Sequence, residues 1–240
     1  MTSPNVTAIR SVDDYIKRLN KSSSNSLRLF RGQNTKQSLL PNIMRLAKAS
    51  GIPPNEIDNI ERRMLERFRK ESVPMLPERR HYDDWELLAI AQHWGMPTRL
   101  LDWTANALAG LWFAVSSGQS KKRNDYGVVW VIDGPNEKTI VEEDNIFALS
   151  KTCFFQPSHI DRRIVAQASW FSIYRHNRTE YLPLDKQSRY ANNAMTFTVL
   201  PNQFESLREE LRLLGVHHAS LFPDLSGLGR DIQTQFIDFR

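Results

Sequence analysis

The sequence predicts a single α+β domain with helices mainly in its N-terminal half and a mixed or antiparallel sheet. Three observations carry that prediction. Apolar side chains recur at helical spacing mostly before residue 118, while the clearest strand-like runs, 126–133, 162–174 and 194–201, lie after it. No internal repeat, low-complexity tract or linker divides the 240 residues.

The elements follow in order. Val12, Tyr15, Ile16 and Leu19 form one helical face over 12–19, with Ser11 as its N-cap and Asp13 and Asp14 suited to its dipole. Residues 27–33 alternate: Leu27, Leu29 and Arg31 share one side, and Arg28, Phe30 and Gly32 the other, as in a strand. Ile57, Ile60, Met64 and Phe68 stripe a helix over 54–72 that begins near Pro54. A second helix, 83–95, is apolar nearly all round and therefore buried; Asp83 or Asp84 caps its start and Gly95 ends it. A third is predicted over 104–118 with Thr104 as N-cap, which leaves Leu100–Trp103 extended between two helices. Later come strands at 126–133, 162–174 and 194–201, an amphipathic helix at 205–215 closed by Gly215, and a loop at 221–229.

Composition excludes several classes. Hydrophobic residues make up 40% and charged residues 25%, as in a domain that buries a core. No apolar run approaches the roughly 18–20 residues of a membrane span, and the first ten residues lack a signal-peptide layout. With Cys153 as the lone cysteine, neither an intramolecular disulfide nor a cysteine-built zinc site is available. No His-Glu-x-x-His occurs, and the adjacent His217 and His218 point apart on any regular element, so no metal is expected. A soluble, cytoplasmic protein is the reading. The net charge of +5 and pI near 9.4 favour phosphate-bearing partners, although most of the lysines and arginines, Ser120-Lys121-Lys122-Arg123 included, read equally well as solvated surface.

The densest polar chemistry lies in QHWGMPTRLLDWT, residues 92–104. His93, in the last turn of a buried helix, either satisfies that helix's carbonyls or meets a ligand. Arg99 and Asp102 stand three apart among apolar residues. They read either as a buried ion pair holding the turn or as ligand contacts, since burying a pair is costly and no obvious route to stability. A helix starting at Thr104 would offer free N–H groups to an anion such as a pyrophosphate. Arg31, on the side of Leu27 and Leu29, needs a partner, and the following Gly32 permits close approach. Gly-rich phosphate loops, Gly-x-Ser-x-Gly and activated-cysteine contexts are missing.

These stretches together resemble the FRG domain family, named for a tripeptide that is here Phe30-Arg31-Gly32, followed by Gln33. The central signature is similar to residues 83–115, and 154–173 and 214–232 resemble its later segments, so the resemblance covers about 26–232. That family occurs in bacteria and phages in settings that imply defence or toxin roles. A more distant similarity links the chain to ADP-ribosyltransferases of the Arg-Ser-Glu type: Leu29-Phe30-Arg31-Gly32 looks like their strand ending in Arg-Gly, and Leu101-Asp102-Trp103-Thr104 with Ala109 and Phe113-Ala114 looks like their second element. The similarity implies such a fold and NAD as co-substrate. Arg31, Gly32, Gln33, Arg99, Thr104 and Arg163 would then serve binding, and His93, Asp102 and Gln167 would stand around the reacting ribose, with nucleic acid or protein as the target. The third element departs from that pattern. No Glu-x-Glu occurs in a late strand; Gln167 is the best-placed polar group there, and a carboxylate would have to come from Asp102 or Glu86. The other reading is a non-catalytic module that binds a nucleotide or nucleic acid through Arg31, Arg99 and Arg163.

Overall fold

The computed structural model describes residues 8–21, 27–76, 81–116, 126–133, 145–157, 162–175, 177–191 and 194–238. Residues 120–123 lie outside them. In chain order the regular elements are α1 (Val12–Lys21), β1 (Arg28–Gln33), α2 (Asn42–Ala49), α3 (Ile57–Glu71), α4 (Asp84–His93), β2 (Leu100–Thr104) and α5 (Ala107–Val115). They continue as β3 (Gly127–Asp133), β4 (Cys153–Phe155), α6 (Arg162–Ala166), β5 (Ser169–Ile173), α7 (Ser188–Ala191), β6 (Ala194–Val199), α8 (Phe204–Leu213), α9 (His218–Leu221) and α10 (Leu225–Gln233). The strands form one sheet in the order β4-β5-β2-β1-β3-β6, and every pair of named strands is antiparallel. Among the described residues no helix is long and apolar enough to cross a membrane.

Strand alternation sends each strand's side chains to two faces. On one face, Phe30, Val129, Val131, Phe197 and Val199 pack against α1, α5 and α8. Farther along the same face, Leu100, Phe155, Phe171 and Ile173 pack against α4. The opposite face, with Leu29, Leu101, Trp103, Val128 and Trp130, is covered by α2, α3 and the segment around Leu184 and Tyr190. Helix α4 is apolar on all sides because it is buried, with Leu87, Leu88, Ala89, Ile90 and Ala91 all inside. Asp83 caps it by accepting from the Glu86 amide at 2.7 Å. A Schellman turn ends it: Gly95 at φ +93°, Gly95 N–H to Gln92 O and Met96 N–H to Ala91 O, both 2.9 Å.

Three expectations need correction. Thr104 does not cap a helix. It ends β2, paired with Ser169, and Asn106 caps α5 by accepting from the Leu108 and Ala109 amides at 2.9 and 3.2 Å. Sheet pairing outweighs the local helix signal there. The stretch 162–174 is a helical turn and a strand rather than one strand, the break falling at Ala168, whose φ of +44° is left-handed. Residues 221–229 are not all loop: Asp224 caps α10 by accepting from the Gly227 amide at 2.9 Å. Gly227 belongs to that helix because a Cβ there would lie 1.9 Å from the Phe222 carbonyl oxygen. The α+β expectation itself holds: α1–α5 carry most of the helical residues, and α8, α9 and α10 follow the last strand.

Helix α5 crosses β1 at the limit of backbone approach. A Cβ on Gly32 would sit 2.1 Å from the Gly110 carbonyl oxygen and 2.5 Å from the Ala114 nitrogen, and one on Gly110 would sit 2.7 Å from Phe30 Cβ. Since backbone has to move, Gly32→Ala is expected to cost about 1–3 kcal/mol of stability. Chemical denaturation would check this; an unchanged midpoint would mean that α5 is free to shift.

Candidate functional site

A parted seam in the sheet makes the site. Strands β1 and β2 share one register pair, Phe30 with Thr104, whereas β1 and β3 share the six from Arg28–Asp133 to Gln33–Val128. Beyond Phe30 the two strands diverge, and a cleft of about 560 Å³ opens between them. The C-terminal end of α4 flanks it with Gln92 and His93, α5 contributes Phe113, and Ile164, Gln167 and Phe222 close the far side. That volume is in the range of small-ligand sites.

The split lets Arg31 reach across. It lies on the face of Leu29 and opposite Trp130 in register, yet its Nη1 donates to the Asp102 carbonyl oxygen at 2.7 Å and to Asp102 Oδ2 at 3.3 Å. Arg31 Nε is buried and has no hydrogen-bond partner among the described residues. The Asp102 side chain is 62% exposed and also accepts from Gln92 Nε2 at 2.6 Å; Gln92 Oε1 in turn accepts from the Thr98 hydroxyl. A chain of contacts thus joins β1, β2 and the end of α4, and it orients the carboxylate.

Among the described residues, three guanidinium side chains, Arg31, Arg45 and Arg163, line the cleft with one carboxylate, Asp102, and Asp224 pairs with Arg163 beside it. Burial, and next the charge of Arg31, push the Arg45 pKa down, while Asp102 pulls it the other way. Such an excess of positive charge in a concave site favours an anion.

The remaining sequence-predicted residues divide into two groups. His93 lines the cleft beside Asp102's helix partner Gln92 and meets Trp94 edge to face at 5.3 Å. Gln167 also lines it, with its amide nitrogen donating to the Leu221 carbonyl at 3.1 Å. Thr104 reaches the cleft, but its hydroxyl donates to the Gln167 carbonyl at 2.6 Å and accepts from the Asn106 amide at 2.9 Å. Gly32 lines the cleft as well. Arg163 does too, with its Nε donating to Asp224 at 2.5 Å and its guanidinium over the Phe222 ring at 5.5 Å. That bond, with the Gly227 amide, holds the Asp224 carboxyl below the usual carboxylate range.

Gln33 and Arg99 are not brought to the cleft. Gln33 Oε1 accepts from the Trp130 indole at 2.8 Å on the opposite face. Arg99 does not pair with Asp102, contrary to the bland reading of their spacing. Its backbone amide and Nε donate to Glu61 at 2.6 and 2.5 Å, and its Nη1 lies 3.0 Å from Asp58.

Sequence reasoning passed over Gln92 and Arg45. Gln92 stood inside the quoted motif, and a polar residue near the end of a buried helix was the available signal. Arg45 lies on α2, where no element had been assigned, and carried no local signal. Among the described residues no group of three or more His, Cys, Asp or Glu side chains could hold a metal ion.

Comparison with known proteins yields one family. The FRG domain model matches residues 26–123, a segment that holds Arg31, Arg45, Gln92, His93 and Asp102 and runs from β1 through α5. Strands β3 to β6 continue the same sheet beyond it. No curated protein and no solved structure matches the chain.

Proposed function

We propose, starting from the match of residues 26–123 to the FRG domain model, that the cleft binds NAD and that the protein is an ADP-ribosyltransferase-like effector of bacterial or phage conflict, acting in the cytoplasm on nucleic acid or protein. One observation carries the reading: among the described residues, Arg31, Arg45 and Arg163, the last paired with Asp224, and one oriented carboxylate, Asp102, line a cleft of about 560 Å³. Arg31 and Arg45 suit a diphosphate, for which arginine supplies paired, planar donors. NAD supplies an ADP-ribosyl group, and positive charge grows on its ribose as the nicotinamide bond breaks. Asp102 is the cleft residue able to offset that charge, and such a contribution is worth about 10²–10³ in rate. Arg31 and Asp102 lie 3.3 Å apart; an anion that takes Arg31 would leave the carboxylate to face the ribose, with Gln92 still holding it in place. His93 and Gln167 line the same space and can exchange hydrogen bonds with a ribose or an acceptor.

Among the described residues no second carboxylate lines the cleft, which favours one other reading, a non-catalytic module that binds a nucleotide or nucleic acid. Incubation with labelled NAD and either cellular nucleic acid or lysate protein separates the two. Label transferred by the wild type and lost in Arg31→Ala is the expected result. A folded protein that neither transfers label nor releases nicotinamide would sink the transferase reading in favour of binding alone.

A further inference from the structure

A second cavity, of about 280 Å³, opens between α5, α8 and the C-terminal helices. It shares no lining residue with the cleft. Arg208, Arg212, Arg230, His217 and His218 line it together with Trp112 and one carboxylate, Asp231. Arg208 and Arg212 are one helical turn apart on α8, and Arg230 comes from α10, so three guanidinium groups converge from two helices.

A row of surface arginines would ordinarily be solvated and would bind no particular ligand. Here a buried carboxylate holds Arg212 and His217. Asp231 is 5% exposed and accepts from Arg212 Nη1 at 3.1 and 3.4 Å and from Gln235 at 2.7 Å. It also lies 3.0 Å from His217 Nδ1. A buried carboxylate with three partners is saturated. It orients Arg212 and His217 and leaves the cavity with an excess of two positive charges even when both imidazoles are neutral. His218 is fixed as well, edge to face on Trp112 at 4.7 Å, and Trp112 is itself 4% exposed. Arg230 is exposed at the mouth. Orienting charged donors before the ligand arrives removes part of the ordering cost of binding.

We propose that this cavity is a second anion site, taking a single phosphate-sized oxyanion, free or as a phosphomonoester, between Arg208, Arg212 and Arg230. Its volume is half that of the cleft, which suits one phosphoryl group rather than a dinucleotide. The site stands on its own residues and does not depend on the cleft's chemistry.

Thermal unfolding tests it. Inorganic phosphate, compared with chloride at matched ionic strength, should raise the Tm of the wild type by about 3–6 °C at roughly ten times its Kd. Arg31→Ala should keep that shift. Arg230→Glu, a change at an exposed position that leaves the core untouched, should lose it. A shift by inorganic phosphate alone marks a free-anion site, and an equal shift by a nucleoside monophosphate marks a monoester site; both uphold the proposal. It is overturned if phosphate leaves the wild type unchanged. It is equally overturned if the shift survives Arg230→Glu, or if Arg31→Ala is the variant that removes it.

Discussion

Glu61→Gln is expected to lower stability by about 3–5 kcal/mol, the usual cost of removing one partner from a buried ion pair, and the Tm by about 6–20 °C for a chain of this size. Glu61 on α3 is fully buried, and the Arg99 side chain is 3% exposed. The glutamate meets both the Arg99 amide and its guanidinium, so the pair anchors the start of β2 to α3. Gln retains an acceptor for the amide but leaves a guanidinium inside the protein, helped by Asp58, the Ile146 carbonyl at 3.1 Å and the Phe147 ring at 5.4 Å. Since β2 also carries Asp102, loosening its start should disturb the cleft. Circular-dichroism melts would measure the effect. A loss below about 1 kcal/mol would show that the pair behaves like a solvated one.

The second large effect lies in the cleft, where two substitutions should act in opposite directions on binding. Under the proposed function, Arg31→Ala would remove charge-assisted hydrogen bonds to a diphosphate, each worth about 1.5–3 kcal/mol, and should weaken ADP-ribose binding by about 10- to 100-fold. Asp102→Asn removes the carboxylate that pairs with Arg31. The pair is screened, because Asp102 is 62% exposed, so the gain in affinity is modest, up to about fivefold. NAD breakdown, by contrast, should fall about 10²–10³-fold in Asp102→Asn. Calorimetric titration with ADP-ribose beside an assay of nicotinamide release reads both quantities. If Asp102→Asn weakens binding as much as Arg31→Ala does, the carboxylate serves only to position the arginine, and another group must face the ribose.

Local pattern was enough to find the elements whose signals are repeated along the chain. The stripe of α1, the apolar girth and terminal glycine of α4, and the β-branched run of β3 each state their conformation several times over. Errors fell where one local signal competed with a distant partner. Thr104 is a good N-cap in isolation, but Ser169 claims it as a strand residue and Asn106 takes the capping role. Gly227 and Gly229 look like loop residues, yet Gly227 is required by the Phe222 carbonyl pressed against it. The candidate site was legible to the same degree. QHWGMPTRLLDWT drew notice because polar groups crowd an apolar context, and Arg31 because an arginine shares a face with leucines.

By itself, then, the sequence determined an α+β domain, a segment similar to the FRG family over residues 26–123, and the two segments, around Arg31 and Asp102, that meet at its cleft. Tertiary structure alone decided the pairings. Arg99 and Asp102, three residues apart, point to opposite sides of a strand's start, so Arg99 takes Glu61 from α3, 38 positions away. Asp102 takes Arg31 from β1, 71 positions away. An ion pair depends on distance in space, and sequence spacing reports that distance only within a single element. Where two strands part, as β1 and β2 do, the side chain that crosses the gap is chosen by packing on both faces of the sheet, which no local stretch encodes.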